Sequence, residues 1–245
     1  MITDFMNDGA ARGADVYVNN KGGNRNWPAG VGCLEKDNLK LKVIGPKWQS
    51  CTTFGSSFGY LKNDKYKTVV SVIHEMIEVI SRNGNFLINI GPKSDGTLVP
   101  QQVERLQAMG RWLKINGPAI YGSRYWKVSE QAEGDLAFTT NGNNLYAIAM
   151  EKPTSPLTIN ATAGWAADQV TAVRLLGSES EVSWSMNDAG LQITPPADLG
   201  TSEYAWSFEI ATTQPQHFPN AIENDATAAL KGSKKVNLDG EPAKK

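Results

Sequence analysis

Residues 47–92, KWQSCTTFGSSFGYLKNDKYKTVVSVIHEMIEVISRNGNFLINIGP, constrain the fold more than any other stretch of the 245-residue chain. Trp48 to Phe54 has the β-branched and aromatic content of a strand, which Gly55-Ser56-Ser57 breaks. From Val69 the apolar residues Val69, Val70, Ile73, Met76, Ile77 and Ile80 recur at three- and four-residue steps, and Asn83-Gly84 ends the pattern, so a helix follows. Phe86 to Ile90 is a short, nearly continuous apolar run stopped by Gly91-Pro92, as in a strand buried on both faces of a helix-covered parallel sheet. Strand, helix and strand in this order make a βαβ unit and an α/β protein.

Upstream, Ile2, Phe5, Met6 and Ala10 are spaced for one face of a helix that Gly13 terminates. Val16 to Asn19 then reads as a short strand. Between it and Lys47 lies a long glycine-rich loop, a length that is uncommon in compact domains unless it has a function. Downstream, Pro100 to Asn116 reads as a helix with Val103, Leu106, Met109 and Leu113 on one face and Gly117-Pro118 as its stop. Three strands and their helices cannot close an eight-stranded (β/α) barrel. The expectation for residues 1–122 is therefore part of a barrel, with an open edge and an uncovered face that something else must protect.

After Gly122 the texture changes. Two apolar runs, Asp135 to Thr140 and Asn144 to Ala149, flank Asn141-Gly142, a hairpin signal. Short strands follow at Leu157–Asn160, Ala172–Leu176, Val182–Met186, Leu191–Thr194 and Tyr204–Ala211, with turn residues between them. The spacing predicts an antiparallel β-sandwich over 123–211. Residues 212–245, rich in Ala, Lys, Asn and Pro without apolar periodicity, read as a linker and disordered tail.

The W-x-x-C-x-x-x-G-x-S-F-G-Y run from Trp48 to Tyr60 and the block SRNGNFLINIGPKSDGTLVPQQVERLQAMGRWLKINGPAIYG from Ser81 to Gly122 resemble the retaining α-L-fucosidases, a glycoside hydrolase family. The resemblance extends from Ile2 to about Ala211. It implies the carboxyl-terminal half of a (β/α) TIM-like barrel followed by a β-sandwich, and hydrolysis of terminal α-L-fucosyl linkages with no metal or organic cofactor. The substrate class it implies is a fucosylated glycan or glycoside.

Retention requires two carboxyl groups roughly 5 to 5.5 Å apart, one a nucleophile and one an alternating acid and base. By resemblance the acid/base glutamate lies between the V-N-N strand and the tryptophan-bearing strand, where Glu35 is the only glutamate. Read without the resemblance, Glu35 beside Lys36 and Asp37 is equally a solvated residue. The family's nucleophile is an aspartate on the strand preceding the first helix here, so the expectation is an amino-terminally truncated chain with the acid/base but no nucleophile. The histidines that grip the sugar in the family also fall on strands outside this sequence. Resemblance marks Asn20, Lys21 and Arg25 as candidate contacts to sugar hydroxyls, with Lys21 where many members have arginine. Arginine offers a planar fork and lysine a point charge, so the exchange is not neutral. Phe58 resembles the position that packs on the C5 methyl of the 6-deoxy sugar, a contact worth about 0.8 kcal/mol. Phe58, Trp27 and Trp48 read equally as sugar platforms and as ordinary packing.

The helical His74-Glu75-Met76-Ile77-Glu78 has glutamate where a zinc-protease helix needs its second histidine, so no metal is expected. A formal net charge of -1 gives no reason to expect nucleic acid or an acidic membrane surface as partner. No apolar run approaches the roughly 18 residues that span a bilayer. Met1-Ile2-Thr3-Asp4 shows neither the basic nor the apolar segment of a signal peptide, although full-length members of the family are often secreted, periplasmic or lysosomal. Homo-oligomerisation is compatible with the sequence. A competing reading is a non-catalytic carbohydrate-binding or accessory protein on the same scaffold.

Overall fold

The computed structural model describes residues 2–14, 16, 18–20, 32–38 and 47–214. Helix α1 (Ile2–Ala11) leads into four parallel strands that lie in chain order: β1 (Val18–Asn20), β2 (Gly32–Asp37), β3 (Trp48–Thr53) and β4 (Gly84–Asn89). Sequence patterning predicts three of these and misses β2, which falls where a loop is expected. Gly32-Cys33-Leu34-Glu35-Lys36-Asp37 contains no β-branched residue. Ladders to β1 on one side and β3 on the other, rather than intrinsic preference, hold it extended.

Residues in register on parallel strands share a face. One face carries Trp48, Ser50 and Thr52 of β3, continued by Phe54, all buried, beside Gly84, Phe86 and Ile88 of β4. Helix α2 (Val69–Ser81) packs against it through Val72, Ile73, Met76 and Ile77. The helix starts where the Thr68 side chain accepts a hydrogen bond from the Ser71 amide at 3.1 Å, and it stops at Asn83, φ +69°. The opposite face is polar: Glu35 and Asp37, then Gln49, Cys51 and Thr53, then Asn85 and Asn89. It is also open. Leu87, in the middle of the apolar run that reads as buried on both sides, is 46% exposed. That expectation is corrected: among the described residues, helices cover β4 on one face only.

The rest of the chain folds into two antiparallel sheets. The larger contains β5 (Glu130–Gln131), β6 (Leu136–Asn141), β7 (Asn144–Ala149), β9 (Val170–Leu175) and β12 (Trp206–Thr212) in the order β5-β6-β7-β12-β9. The smaller contains β8 (Leu157–Ile159), β10 (Ser183–Asn187) and β11 (Gly190–Thr194) in the order β10-β11-β8. A two-residue loop joins β6 to β7, with Gly142 at φ +58° where a side chain would strain the turn. Phe138, Leu145, Phe208 and Ile210 from the larger sheet meet Leu157, Ile159, Leu191 and Ile193 from the smaller, with Trp126 filling the interior.

The other face of the larger sheet is buried too. Ala137, Tyr146 and Ile148 join Ile73 and Ile77 of α2 and Met109 and Trp112 of α3 (Pro100–Asn116) in a second core. This double burial explains why β6 and β7 read as apolar runs instead of alternating. The two helices are thus a middle layer between the parallel sheet and the sandwich.

Polar contacts fix where that layer meets the sandwich: Arg82, just after α2, pairs with Glu130 of β5, Thr139 Oγ1 of β6 donates to the Ala119 carbonyl, and a further set falls on the loop before β12. Trp112 Nε1 donates to the Ala205 carbonyl at 3.0 Å, and Asn116 Nδ2 donates to Ser202 Oγ at 2.9 Å. Ser202 Oγ donates in turn to the Ala205 carbonyl at 2.8 Å. His74 Nε2 lies 2.9 Å from the Tyr204 carbonyl, which can only accept, so the ring proton sits on that nitrogen. Asn116→Ala removes the only side-chain donor that this group places on buried Ser202 and should cost about 1–2 kcal/mol. The check is a lower denaturant midpoint with an unchanged slope; an unmoved midpoint would show that the clamp does not hold the layers together.

Candidate active site

Glu35 and Asp37 project two residues apart from the polar face of β2, and Asp37 is in register with Cys51 of β3. A carboxylate oxygen of each and the Cys51 sulfur lie within 4.8 Å of one another. Glu35 is half-buried, Asp37 exposed and Cys51 buried. The set mixes two hard oxygen donors with one soft sulfur donor, which suit different metals. Two carboxyl groups side by side on a strand next to Gln49 are better suited to moving protons. Gln49 is in register with Glu35.

The end of β2 is pinned from behind. Asn38, at φ +54°, donates its amide to the Cys51 carbonyl at 2.7 Å and accepts from Thr52 Oγ1 at 2.9 Å on its own side-chain oxygen. Thr52 Oγ1 accepts from Lys67 Nζ at 2.7 Å, and the same ammonium pairs with Glu75 Oε2 at 2.7 Å. Glu75 is 6% exposed and sits on α2. A relay of four side chains therefore ties the residue after Asp37 to the helix layer. It also gives the three polar residues of the zinc-like sequence their actual places: Glu75 faces Lys67, His74 faces the sandwich, and Glu78 lies near Arg82.

The loop beyond β3 completes the carboxyl rim of the sheet. Asp64 accepts from the Ser56 amide at 3.1 Å, the Ser56 hydroxyl at 2.6 Å and the Lys65 amide at 2.8 Å. The Ser56 hydroxyl foremost, and then its amide, hold the Asp64 carboxyl below its ordinary range. Asn89 Nδ2, at the end of β4, donates to the Phe58 carbonyl at 2.6 Å. Gly91 lies so close to the Gly59 backbone that a Cβ there would sit 2.8 Å from its carbonyl carbon. Phe58 itself is 39% exposed.

The remaining candidates divide. Asn20 ends β1 and pairs with Leu34, one residue from Glu35. Lys21, Arg25 and Trp27 lie outside the described residues. Trp48 is corrected from a candidate sugar contact to a core residue. It stands at the amino end of β3, away from the rim, 1% exposed, with its indole N–H donating to the Arg82 carbonyl at 2.9 Å. Its ring fills the space over Gly84, where a Cβ would meet it at 2.7 Å. Asp4 and Asp8 lie exposed on α1, with Asp8 paired to Arg12 at 2.6 Å. Sequence reasoning missed Asp37 as a neighbour of Glu35 on one face. The two-residue spacing would have disclosed it had 32–37 read as a strand.

The chain matches two family models: "Alpha-L-fucosidase" over residues 2–118 and "Alpha-L-fucosidase C-terminal domain" over residues 129–211. It is 35% identical over 229 residues to the tissue alpha-L-fucosidase of Bos taurus, a match covering 85% of this chain and 47% of the bovine one. A crystal structure of the Thermotoga maritima alpha-fucosidase in complex with fucose is similar at a TM-score of 0.65 and 29% identity, covering 79% of this chain and 44% of that one. Alpha-L-fucosidase isoenzyme 1 from Paenibacillus thiaminolyticus gives 0.64 at 26%, covering 74% and 45%. The chain spans less than half the length of the curated relatives it matches.

Two measurements check the geometry of the rim. Lys67→Met leaves buried Glu75 without its partner and should cost about 3 kcal/mol, with Lys67→Met/Glu75→Leu recovering most of it in chemical unfolding. Asp64, whose carboxyl is depressed on folding, stabilises its loop above the unfolded value and loses that contribution as pH falls through the lower folded one. A carbon NMR titration of Asp64 should therefore show a midpoint below the ordinary carboxylate range, with Ser56 amide protection lost over the same interval; a midpoint in the ordinary range overturns this reading.

Proposed function

The chain belongs to the α-L-fucosidase family, and on that premise we propose that it carries the proton-donating side of a site that cleaves terminal α-L-fucosyl linkages with retention. The observation that carries the reading is the place of Glu35: a half-buried carboxyl on the polar face of a parallel sheet, near the carboxyl end of its strand. In (β/α) barrels that end is where chemistry is done. In this reading the four parallel strands are a portion of such a barrel and their polar face is its interior.

Glu35, as the acid, gives its proton to the departing glycosidic oxygen while a second carboxylate attacks the anomeric carbon, leaving a covalent fucosyl-enzyme. Glu35, now a carboxylate, takes a proton from water, whose oxygen attacks the same carbon and releases fucose. Phe58 supplies an apolar wall for the sugar's C5 methyl, and Asn20, Lys21 and Arg25 bind its hydroxyl groups. The fucose complex of the Thermotoga maritima relative supports this ligand class. The second carboxylate is the family's aspartate from the strand before α1. Asp4 and Asp8 are on a helix, and Asp37 shares a strand face with Glu35, so the two cannot flank a sugar from opposite sides. By themselves these 245 residues should then hydrolyse α-L-fucosides slowly or not at all.

The test has two stages. The chain alone, given 4-nitrophenyl α-L-fucoside, should release nitrophenol no faster than a blank; relative-like rates abolished by Glu35→Gln would overturn the division of carboxylates. In a fusion that adds the nucleophile-bearing strands of a relative, Glu35→Gln should slow an alkyl fucoside by about 10²–10⁴-fold. An activated aryl fucoside should lose less, and azide should restore turnover. Equal losses on both leaving groups, without azide rescue, would move the acid/base role elsewhere, with Asp37 the next residue to test.

A further inference from the structure

Two cavities of about 430 Å³ and 400 Å³ adjoin at Glu203 and Tyr204 of the loop before β12, and the second is walled on its other side by the carboxyl half of α3. The first is lined by Trp206, Lys152, Asp198 and Ser202, the second by Trp112, Arg111, Lys114 and Thr201. Helix α3 begins at the carboxyl rim of the sheet and runs away from it, so this groove is remote from Glu35. Nothing in the proposed fucosyl cleavage uses it.

Its lining restricts what can occupy it. Three cations and two carboxylates stand close together, so neither an anion nor a cation has a clear advantage there. An apolar partner would have to strip water from all five charges, which is costly. A neutral ligand that both donates and accepts hydrogen bonds and presents an apolar face is favoured. Aromatic rings are available for that face in Tyr204 and Trp206.

Two further observations point to a built site. The Trp206 indole nitrogen is buried and has no hydrogen-bond acceptor among the described residues, an arrangement that native interiors rarely keep. Tyr204 is an aromatic residue at φ +69°, a conformation that side chains of its kind seldom adopt. It is held there by His74 at its own carbonyl and by Trp112 and Ser202 at the next. Burial, and then Glu203, raise the Tyr204 phenol above its ordinary value. Lys152 makes no hydrogen bond or ion pair among the described residues, so its ammonium can turn to a ligand.

We propose that this groove is a second, non-catalytic carbohydrate site that takes pyranose rings of a glycan on either side of Tyr204. A pyranose has a face of C–H bonds for the aromatic rings and a rim of hydroxyls for Lys152, the Tyr204 phenol and the carboxylates. Two cavities that share a wall suit neighbouring residues of an oligosaccharide. Holding a glycan here raises the local concentration of its ends around the protein, which lets a weak site matter.

The indole N–H resonances of the chain's seven tryptophans provide the test. The Trp206 signal is identified by its loss in Trp206→Phe, or by its response to Lys152→Ala should that variant not fold. Titration of the full chain with L-fucose and with lactose should move the Trp206 resonance saturably, with a Kd of about millimolar order, while the Trp48 resonance stays in place. Lys152→Ala should weaken the response about fivefold or more. Glu35→Gln should leave it intact, whichever carboxyl proves to be the proton donor. A Trp206 signal that neither sugar moves, that sorbitol moves equally, or that Lys152→Ala leaves unaffected would overturn the proposal.

Discussion

Everything in this fold hangs on the burial of one helical layer from two sides. Helices α2 and α3 place apolar residues against the parallel sheet through Phe54 and against the sandwich through Ala137, Tyr146 and Ile148. Each such side chain withdrawn from water contributes roughly 1.5–3 kcal/mol, more than any single hydrogen bond in the same seam. The apolar contacts therefore hold the layers together. They do not by themselves say where one layer sits on the other, because hydrophobic association has no direction. That information comes from directional polar contacts: His74, Trp112 and Asn116 converge on residues 202–205, Arg82 pairs with Glu130 of β5, and Thr139 of β6 donates to the Ala119 carbonyl. A sandwich shifted along the helices would keep much of the first contribution and lose all of the second.

Because the helix layer is fixed, the sheet it covers has one committed face and one uncommitted one. Trp48, Ser50, Thr52 and Phe54 are packed away, and the alternate positions are left to Glu35, Asp37, Gln49, Asn85 and Asn89. These polar residues at alternate positions on three neighbouring strands, with exposed Leu87 among them, make up the face that the helices leave uncovered. The pair of half-buried Lys67 and buried Glu75 serves the same arrangement. Two charges of that kind seldom stabilise a fold beyond what apolar residues would. Here the Lys67 ammonium also reaches Thr52, which fixes Asn38 and the strand end beside Asp37.

How much of this was legible depended on whether local pattern or long-range pairing set the structure. Helix α3 emerges between the residues its proline and Gly117 mark, because both ends are dictated locally. The hairpin at Gly142 is read from its turn residues for the same reason. Strand β2 is invisible, since its conformation is imposed by β1 and β3, and with it went the sight of Asp37 beside Glu35. Trp48 shows the limit of a motif: the sequence around it marks a rim, but its parity and its position at the start of β3 put the ring in the core. The stretch from Tyr204 reads as strand, yet Tyr204 turns to a positive φ because three side chains from helices far away in sequence hold that loop.

His74 and Glu75 show why motif and geometry part company. Successive residues on a helix point about 100° apart, so a pair that looks like one ligand set in sequence serves two directions in space. His74 reaches the sandwich, and Glu75 reaches the rim through Lys67. A zinc-binding helix requires its ligands on one side, four residues apart, and this helix instead uses adjacent positions to engage two different layers. The consequence reaches both ends of the molecule. Helix α2 contacts both the support of the candidate acid and the loop beside the sandwich groove, and α3 does the same through Arg105 and Trp112, so the geometry of each is referred to the same helical layer.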